Sequence, residues 1–349
     1  MLPFGLGRRK TTVGLDVGSG FIKAAVIDHS KDTPQLEKIA VTRLEGDAIV
    51  DGDIVDPGLV ADAISSMFKR EKIDQRDVVI GVGGRDVIIK LIKMDRMEED
   101  EAREVIPWEA EQHVPFDMDN VQLDFQITDP AGDGLQMTVL LVAAKRELID
   151  TRISLLQQAG LNPRMVDVEA FALHNALEAN YPEAMAGITA LVNIGHDTTT
   201  VNVLDDGVPV LTRDLTFGTR GLMLDLQRER SLTAEEAEAA LRGEGADNAA
   251  LRDFLVERSQ EVARGVERAA AFLETDDVGL GVGRLYLCGG GVGVPSLSEV
   301  LAERLGVETH IASAFERVQV KADAVDYMEL QELAPMLMLS VGLALRTAA

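Results

Sequence analysis

Two stretches of this chain lie 177 residues apart (193 − 16) and follow one plan. Val13-Gly14-Leu15-Asp16-Val17-Gly18-Ser19-Gly20-Phe21-Ile22-Lys23-Ala24-Ala25-Val26-Ile27-Asp28 reads as strand, Gly-rich turn, strand. Shifted by that distance, Asp16 falls on Asn193, Gly18 on Gly195 and Asp28 on Asp205. Leu15, Val17, Val26 and Ile27 fall on Val192, Ile194, Val203 and Leu204. The coincidence is either chance likeness between short apolar strands or an internal duplication of one Gly-tipped hairpin. Chemistry favours the duplication. A tip without side chains uncovers backbone N–H groups, and such groups cradle phosphate oxygens. Two tips facing each other would clasp a nucleotide tail from both sides. Asp16 at the strand end suits a magnesium ion held through water. Ser19 would donate a hydroxyl to phosphate and Lys23 would act as a point cation. Taken singly, Ser19 also reads as a turn residue and Lys23 as a solvated strand lysine.

The rest of the chain bounds what such a cleft can serve. A length of 349 residues suggests about two domains. Hydrophobic residues at 46% supply a sizeable core. The balance of 34 basic against 59 acidic residues gives −25, which repels phosphate backbones and argues against bulk nucleic-acid binding. The single cysteine, Cys288, excludes an internal disulfide. No secretory signal is visible, and no apolar run reaches the ~20 residues of a membrane helix, so the chain reads as cytoplasmic.

Periodicity places the other elements. Asp56-Pro57 opens a helix with Leu59, Val60, Ala63, Ile64, Met67 and Phe68 at helical spacing. Val78 to Val82 and Val87 to Met94 read as strands, and Met97 to Val114 as an acidic helix kinked at Pro107. Val121, Leu123, Phe125 and Ile127 alternate as a half-buried strand, followed by a strand from Gln136 and a helix ending at Gly160. Met165 to Val168 reads as a strand and Glu169 to Asn180 as a helix. Asp206-Gly207 marks a hairpin turn, and one helical region runs from about Gly221 to Glu274. Leu285 to Cys288 is a strand entering Gly289-Gly290-Gly291; Ser296 to Leu305 and Pro335 to Arg346 read as helices.

Leu15-Asp16-Val17-Gly18-Ser19, then Asn193-Ile194-Gly195, then Leu285-Tyr286-Leu287-Cys288-Gly289-Gly290-Gly291 resemble the three nucleotide-binding signatures of the actin-like ATPases, in order. Within that superfamily the chain resembles the PilM family of type IV pilus assembly. Ile106 to Phe116, Leu123-Asp124-Phe125 and Val166 to Leu173 carry that likeness. The resemblance implies an α/β actin-like fold of two lobes, each a ribonuclease H-like motif, with a small inserted α/β subdomain. It places the first lobe at residues 1–80 and 161–186, the insertion at 81–160 and the second lobe at 187–334. A final helix at 335–349 returns to the first lobe. It implies ATP and Mg as ligands. Asp16, Gly18, Ser19, Gly20 and Lys23 match the first phosphate loop, with Asp16 on the metal. Gly195, Thr198 and Thr199 match the second; Gly289, Gly290 and Gly291 match the adenosine loop, and Glu238 the ribose glutamate. The implied partner is the N-terminal cytoplasmic peptide of PilN, docked between the first lobe and the insertion. Pilus motor ATPases, the platform protein and a ring oligomer are further implied contacts, with peripheral placement at the inner membrane through partners.

Departures from the family pattern point to binding over turnover. Asn193 stands where the family carries an aspartate, and Leu241 where it carries a lysine. An FtsA-like division protein and a small-molecule kinase on the same fold are the competing readings; Asn193 counts against the kinase. The five histidines are scattered, which disfavours a chelating metal site. His196 reads as a phosphate contact or a solvated loop residue, Cys288 as a buried strand residue, and Glu98 to Glu101 as a solvated helix start. Leu2-Pro3-Phe4 with Arg8, Arg9 and Lys10 reads as a tail too short for stable membrane anchoring.

Overall fold

The structure is a computed structural model that describes residues 11–31, 33–129, 134–244, 249–274, 281–321, 324 and 330–346. The amino-terminal Leu2-Pro3-Phe4 and Arg8-Arg9-Lys10 lie outside the described residues.

The first hairpin joins β1 (Thr11–Val17) to β2 (Phe21–Asp28), and β3 (Gln35–Arg43) continues antiparallel. Two short strands, β4 (Ile49–Val50) and β5 (Asp53–Ile54), form a miniature hairpin. Helix α1 (Pro57–Arg70) follows, with the Asp56 carboxylate accepting from the Leu59 N–H at 3.0 Å. That bond and Pro57 at the first position satisfy a helix start as its sequence foretells. Strand β6 (Asp77–Val82) then lies parallel to β1.

A three-stranded antiparallel sheet comes next. It holds β7 (Val87–Asp95), β8 (Val121–Ile127) and β9 (Gln136–Lys145) in the order β7-β9-β8. Helix α2 (Glu99–Ala110) covers one face, burying Ala102 and Ile106 against Ile92, Val139 and Leu141. The helix ends four residues earlier than its periodicity suggests. Pro107 in the final turn has no N–H to give to the preceding turn, which weakens the end of the helix. Helix α3 (Arg146–Gln158) leads back to β10 (Asn162–Val168), parallel to β6, and α4 (Glu169–Asn180) follows.

The second sheet repeats the first. Strand β11 (Ile188–Ile194) begins 177 residues after β1 (188 − 11) and is equally long. It pairs antiparallel with β12 (Thr199–Asp205), which pairs with β13 (Val208–Leu215). Asp206 and Gly207 both take positive φ, 45° and 78°, as a tight hairpin turn requires. The expected single helical stretch is three helices: α5 (Thr219–Arg230), α6 (Ala234–Leu241) and α7 (Ala249–Glu274). Ser231 turns left-handed at φ 56°, and Thr233 and Glu236 form a reciprocal capping box that starts α6 afresh. Strand β14 (Arg284–Cys288) lies parallel to β11, α8 (Leu297–Leu305) follows, and β15 (Glu308–Ile311) lies parallel to β14. Strand β16 (Gln319–Val320) crosses back to the first sheet, before the short α9 (Leu330–Leu333) and the final α10 (Met338–Leu345).

The sheet orders are β10-β6-β1-β2-β3-β16 and β13-β12-β11-β14-β15. Helices α4 and α10 lie between them. Their Leu173, Leu177, Val341 and Leu343 share one core with Ile27 and Leu36 of the first sheet and Leu191 and Leu204 of the second. Contact there is backbone-close. A Cβ on Gly14 would lie 2.1 Å from the Ser340 carbonyl oxygen, and one on Gly342 would lie 1.8 Å from that of Ala172. The outer faces carry separate cores, under α1 and α3 on one side and α5 to α8 on the other.

Candidate functional site

Strands β1 and β6 are paired only at Gly14–Val79 and Leu15–Ile80. Beyond that point they part at their carboxyl ends, where α/β sheets leave a crevice for ligands. Asp16 stands at this notch, 8% exposed, and its Oδ2 meets Lys23 Nζ at 2.7 Å across the hairpin register. The floor of the notch therefore carries a paired anion and cation.

The two hairpin tips are closed alike. Gly18 N–H donates to the Phe21 carbonyl at 3.2 Å, and Gly195 N–H to that of Thr198 at 2.9 Å. Neither glycine position admits a side chain: a Cβ on Gly18 would lie 2.9 Å from Phe21 O, and one on Gly195 2.7 Å from Thr198 O. The tips meet each other. A Cβ on Gly20 would lie 2.8 Å from Cγ of His196, at the opposite tip. His196 Nδ1 is hydrogen-bonded to Thr219 Oγ1 at 3.1 Å, and burial lowers its pKa, which favours the neutral form of the ring that faces Gly20. Ser19 and Thr198 are half-buried beside this contact. Thr199 is fully buried instead, and its hydroxyl donates to Phe217 O at 2.9 Å, holding the second tip in shape.

Gly289 to Gly291 lie against the strand of the second tip. Gly289 has φ 92°, and a Cβ there would lie 2.3 Å from Ile194 O and 2.5 Å from Asn193 Oδ1. A Cβ on Gly291 would lie 2.3 Å from Ile194 Cγ2, whereas Gly290 faces open space. Asn193 thus turns toward the triplet, with Cys288 Sγ 3.7 Å from its Oδ1. Burial pushes the Cys288 thiol up to about 12, which leaves it unreactive as a nucleophile. Gly243, just past α6, approaches Pro295 beyond the triplet at 3.7 Å from its would-be Cβ. Glu238 on α6 accepts from Arg43 Nη1 at 2.6 Å and pairs with Arg242 at 3.1 Å. The Arg43 hydrogen bond holds its carboxyl below the usual range.

The geometry adds residues that motif reading passes over. Glu169, the first residue of α4, lies over the end of β6: a Cβ on Gly81 would sit 2.7 Å from its Cγ, and one on Gly83 2.8 Å from its Oε2. It keeps some exposed surface but is crowded on the cleft floor, and burial with the nearby Asp16 charge pushes it up to about 7. Arg152 of α3 lines the same notch. The alternating glycines Gly81 and Gly83 were the available signal, since a strand end without side chains leaves room for one from elsewhere. A latch also joins the lobes. Arg220 meets Asp47 at 2.7 Å, and the Asp51 N–H donates to Asp197 Oδ2 at 3.0 Å.

Fit to a magnesium nucleotide can be judged from the donors present. The Gly18 and Gly195 N–H groups already donate within their own turns. Lys23, the Ser19 hydroxyl and Asp16, with Glu169 beside it in the notch, suit a cation that keeps its waters and bridges to phosphate. Among the described residues no group of three or more His, Cys, Asp or Glu forms a chelating metal site. Among them also, no helix is long and apolar enough to cross a membrane.

A family model described as type IV pilus assembly protein PilM matches residues 14–348. The chain belongs to the PilM family. A solved PilM–PilN type IV pilus biogenesis complex has a chain 28% identical, with TM-score 0.83, covering 97% of this chain and 98% of that one. The ethanolamine utilization protein EutJ from Carboxydothermus hydrogenoformans is 18% identical, with TM-score 0.56 over 96% of this chain and 89% of its own. MreB5 of Spiroplasma citri, solved with ADP, is 13% identical, with TM-score 0.53 over 96% and 95%. The latter two share the fold with this PilM-family chain. That fold is the actin-like ATPase fold, which the resemblance of the three loop motifs implies.

Proposed function

We propose that this protein is a nucleotide-binding adaptor of the type IV pilus machine. It takes ATP with magnesium between its lobes, and the N-terminal cytoplasmic peptide of PilN between the first lobe and the inserted sheet. The observation that carries the reading is the meeting of two Gly-closed tips, Gly20 against His196, at the end of duplicated sheets. Asp16, Gly18, Ser19, Gly20 and Lys23 would hold the phosphates and, through water, the magnesium. Gly195 and Thr198 would face them. Gly289, Gly290 and Gly291 would receive the adenosine, and Glu238 the ribose once Arg43 gives it up. Thr199 would serve by shaping the tip.

The first lobe is taken as residues 1–80 and 161–186, the insertion as 81–160, the second lobe as 187–334 and the returning helix as 335–349. The complex solved for a relative supports PilN as partner, and that partner would place the protein at the inner membrane. Motor ATPases, the platform protein and a ring are further contacts consistent with an adaptor. Slow or absent hydrolysis is expected, because the Asn193 amide cannot polarise a water as a carboxylate does. The test is a titration of the PilN N-terminal peptide with and without Mg-ATP. Binding that changes with nucleotide supports the reading; no binding in either condition overturns it. Acceptor-dependent turnover at ordinary enzyme rates, about 1–10³ per second, would favour a small-molecule kinase instead.

A further inference from the structure

The notch between β1 and β6 holds more charge than nucleotide binding alone explains. Arg152 lines it with Asp16, Gly81 and Glu169. Two of its guanidinium nitrogens, Nε and Nη1, are buried and have no hydrogen-bond partner. Its Nη2 donates to the Gly52 carbonyl at 3.3 Å. Leaving buried N–H groups unpaired is unfavourable, so a position that keeps them is candidate machinery. The cavity has room for about one water molecule, too little for a substrate, so what gathers there serves the walls.

We propose that Arg152 is a positioning residue for the phosphate end of the cleft: it balances Asp16 and Glu169 when Lys23 turns from Asp16 to a bound triphosphate. The inference rests on the nucleotide reading above. Lys23 is committed to Asp16 at 2.7 Å. When it neutralises phosphate, two carboxylates are left at the notch, and Arg152 is the cation remaining among the residues lining it. Where both carboxylates are ionised, two like charges left uncompensated in a crowded site repel each other and the incoming phosphates.

Its place in the chain gives Arg152 a second consequence. It sits in the second turn of α3, directly after β9 of the inserted sheet. The carbonyl it grips belongs to Gly52, in the β4–β5 hairpin. The same hairpin region supplies Asp47 and Asp51 to the interlobe latch. One guanidinium therefore lines the notch and grips the hairpin beside the latch, from the helix that follows the inserted sheet.

The experiment measures the affinity of a fluorescent, non-hydrolysable ATP analogue with and without magnesium. It uses the full chain, Arg152→Met, Arg152→Lys and the double variant Arg152→Met/Glu169→Gln, with thermal melts of each. Arg152→Met is expected to weaken binding about tenfold without magnesium and less with it, because the metal supplies part of the missing charge. Arg152→Lys should retain most of the affinity, and Glu169→Gln should restore much of what Arg152→Met loses. A purely structural Arg152 would lower affinity equally in both conditions, with no recovery from Glu169→Gln, and that result overturns the proposal. So does unchanged binding by Arg152→Met. If the unaltered protein binds no analogue, the nucleotide reading itself fails and takes this inference with it.

Discussion

Arg43 and Glu238 belong to different lobes, and their charged ends meet at 2.6 Å across the mouth of the cleft. Arg43 is 50% exposed and Glu238 34%, so the bridge adds little to stability, about 0–1 kcal/mol. Its consequence is competition. Arg43 and Arg242 both hold Glu238 Oε1, so a ribose hydroxyl drawn to this carboxylate would compete with Arg43 for it. Arg43→Ala is therefore expected to tighten Mg-ATP binding by up to about fivefold, and Glu238→Ala to weaken it. Isothermal titration of both variants checks this; weaker binding by Arg43→Ala would show that the arginine serves the ligand instead.

Glu169 gives the protein a pH signature. An unfolded glutamate titrates near 4.5, whereas burial raises the folded group to about 7. Between these values the folded state holds the extra proton, so this group favours folding fully below 4.5. That contribution fades as pH rises through 7. The loss amounts to at most about 3 kcal/mol. Urea unfolding from pH 4.5 to 8 should show Glu169→Gln gaining stability relative to the unaltered chain as pH rises. A difference independent of pH would contradict a raised Glu169 pKa in the folded protein.

Close backbone approach predicts an asymmetry between glycines. Gly14→Ala places a methyl 2.1 Å from Ser340 O and 2.4 Å from Ala344 N, both backbone atoms that cannot swing aside. A loss of about 3 kcal/mol is expected, from overpacking between β1 and α10. Gly221→Ala, inside α5 with nothing within 4 Å, should instead gain up to about 1 kcal/mol from helix propensity. Thermal melts of the two variants decide it.

Trp108 is the chain's one tryptophan and is 72% exposed on the outer side of α2. Its emission should be that of a solvated indole, readily quenched by acrylamide and unmoved by nucleotide. Trp108→Phe should change stability by less than about 0.5 kcal/mol. A blue-shifted spectrum in the isolated protein would mean that something covers this face.

What the sequence disclosed was local and periodic. The hairpin repeat emerged from glycines and apolar strands, because tight tips and strand alternation are written in neighbouring residues. Asp56-Pro57 and Asp206-Gly207 announced a helix start and a turn for the same reason. The three-way break of the α5 to α7 region was partly legible, since Thr233 and Glu236 stand at capping-box spacing. The short strands β4 and β5 carry too few residues to show a period. Glu169 and Arg152 could not be placed beforehand: they reach the notch from helices far along the chain, Glu169 by packing over Gly81 and Gly83 and Arg152 by lining the same cavity. Nor could the Arg43–Glu238 pairing be read from residues 195 positions apart.

Helix α10 rests against β1, so residues at 338–345 complete a layer begun at 11–17. During synthesis the opening hairpin must wait for more than three hundred residues before its inner side is sealed. Its apolar strands stay uncovered through that interval, at risk of pairing with other nascent chains. Maturation of the first lobe is thus timed by the last helix, and a ribosome stalled before it would release a molecule with a sticky, half-dressed sheet.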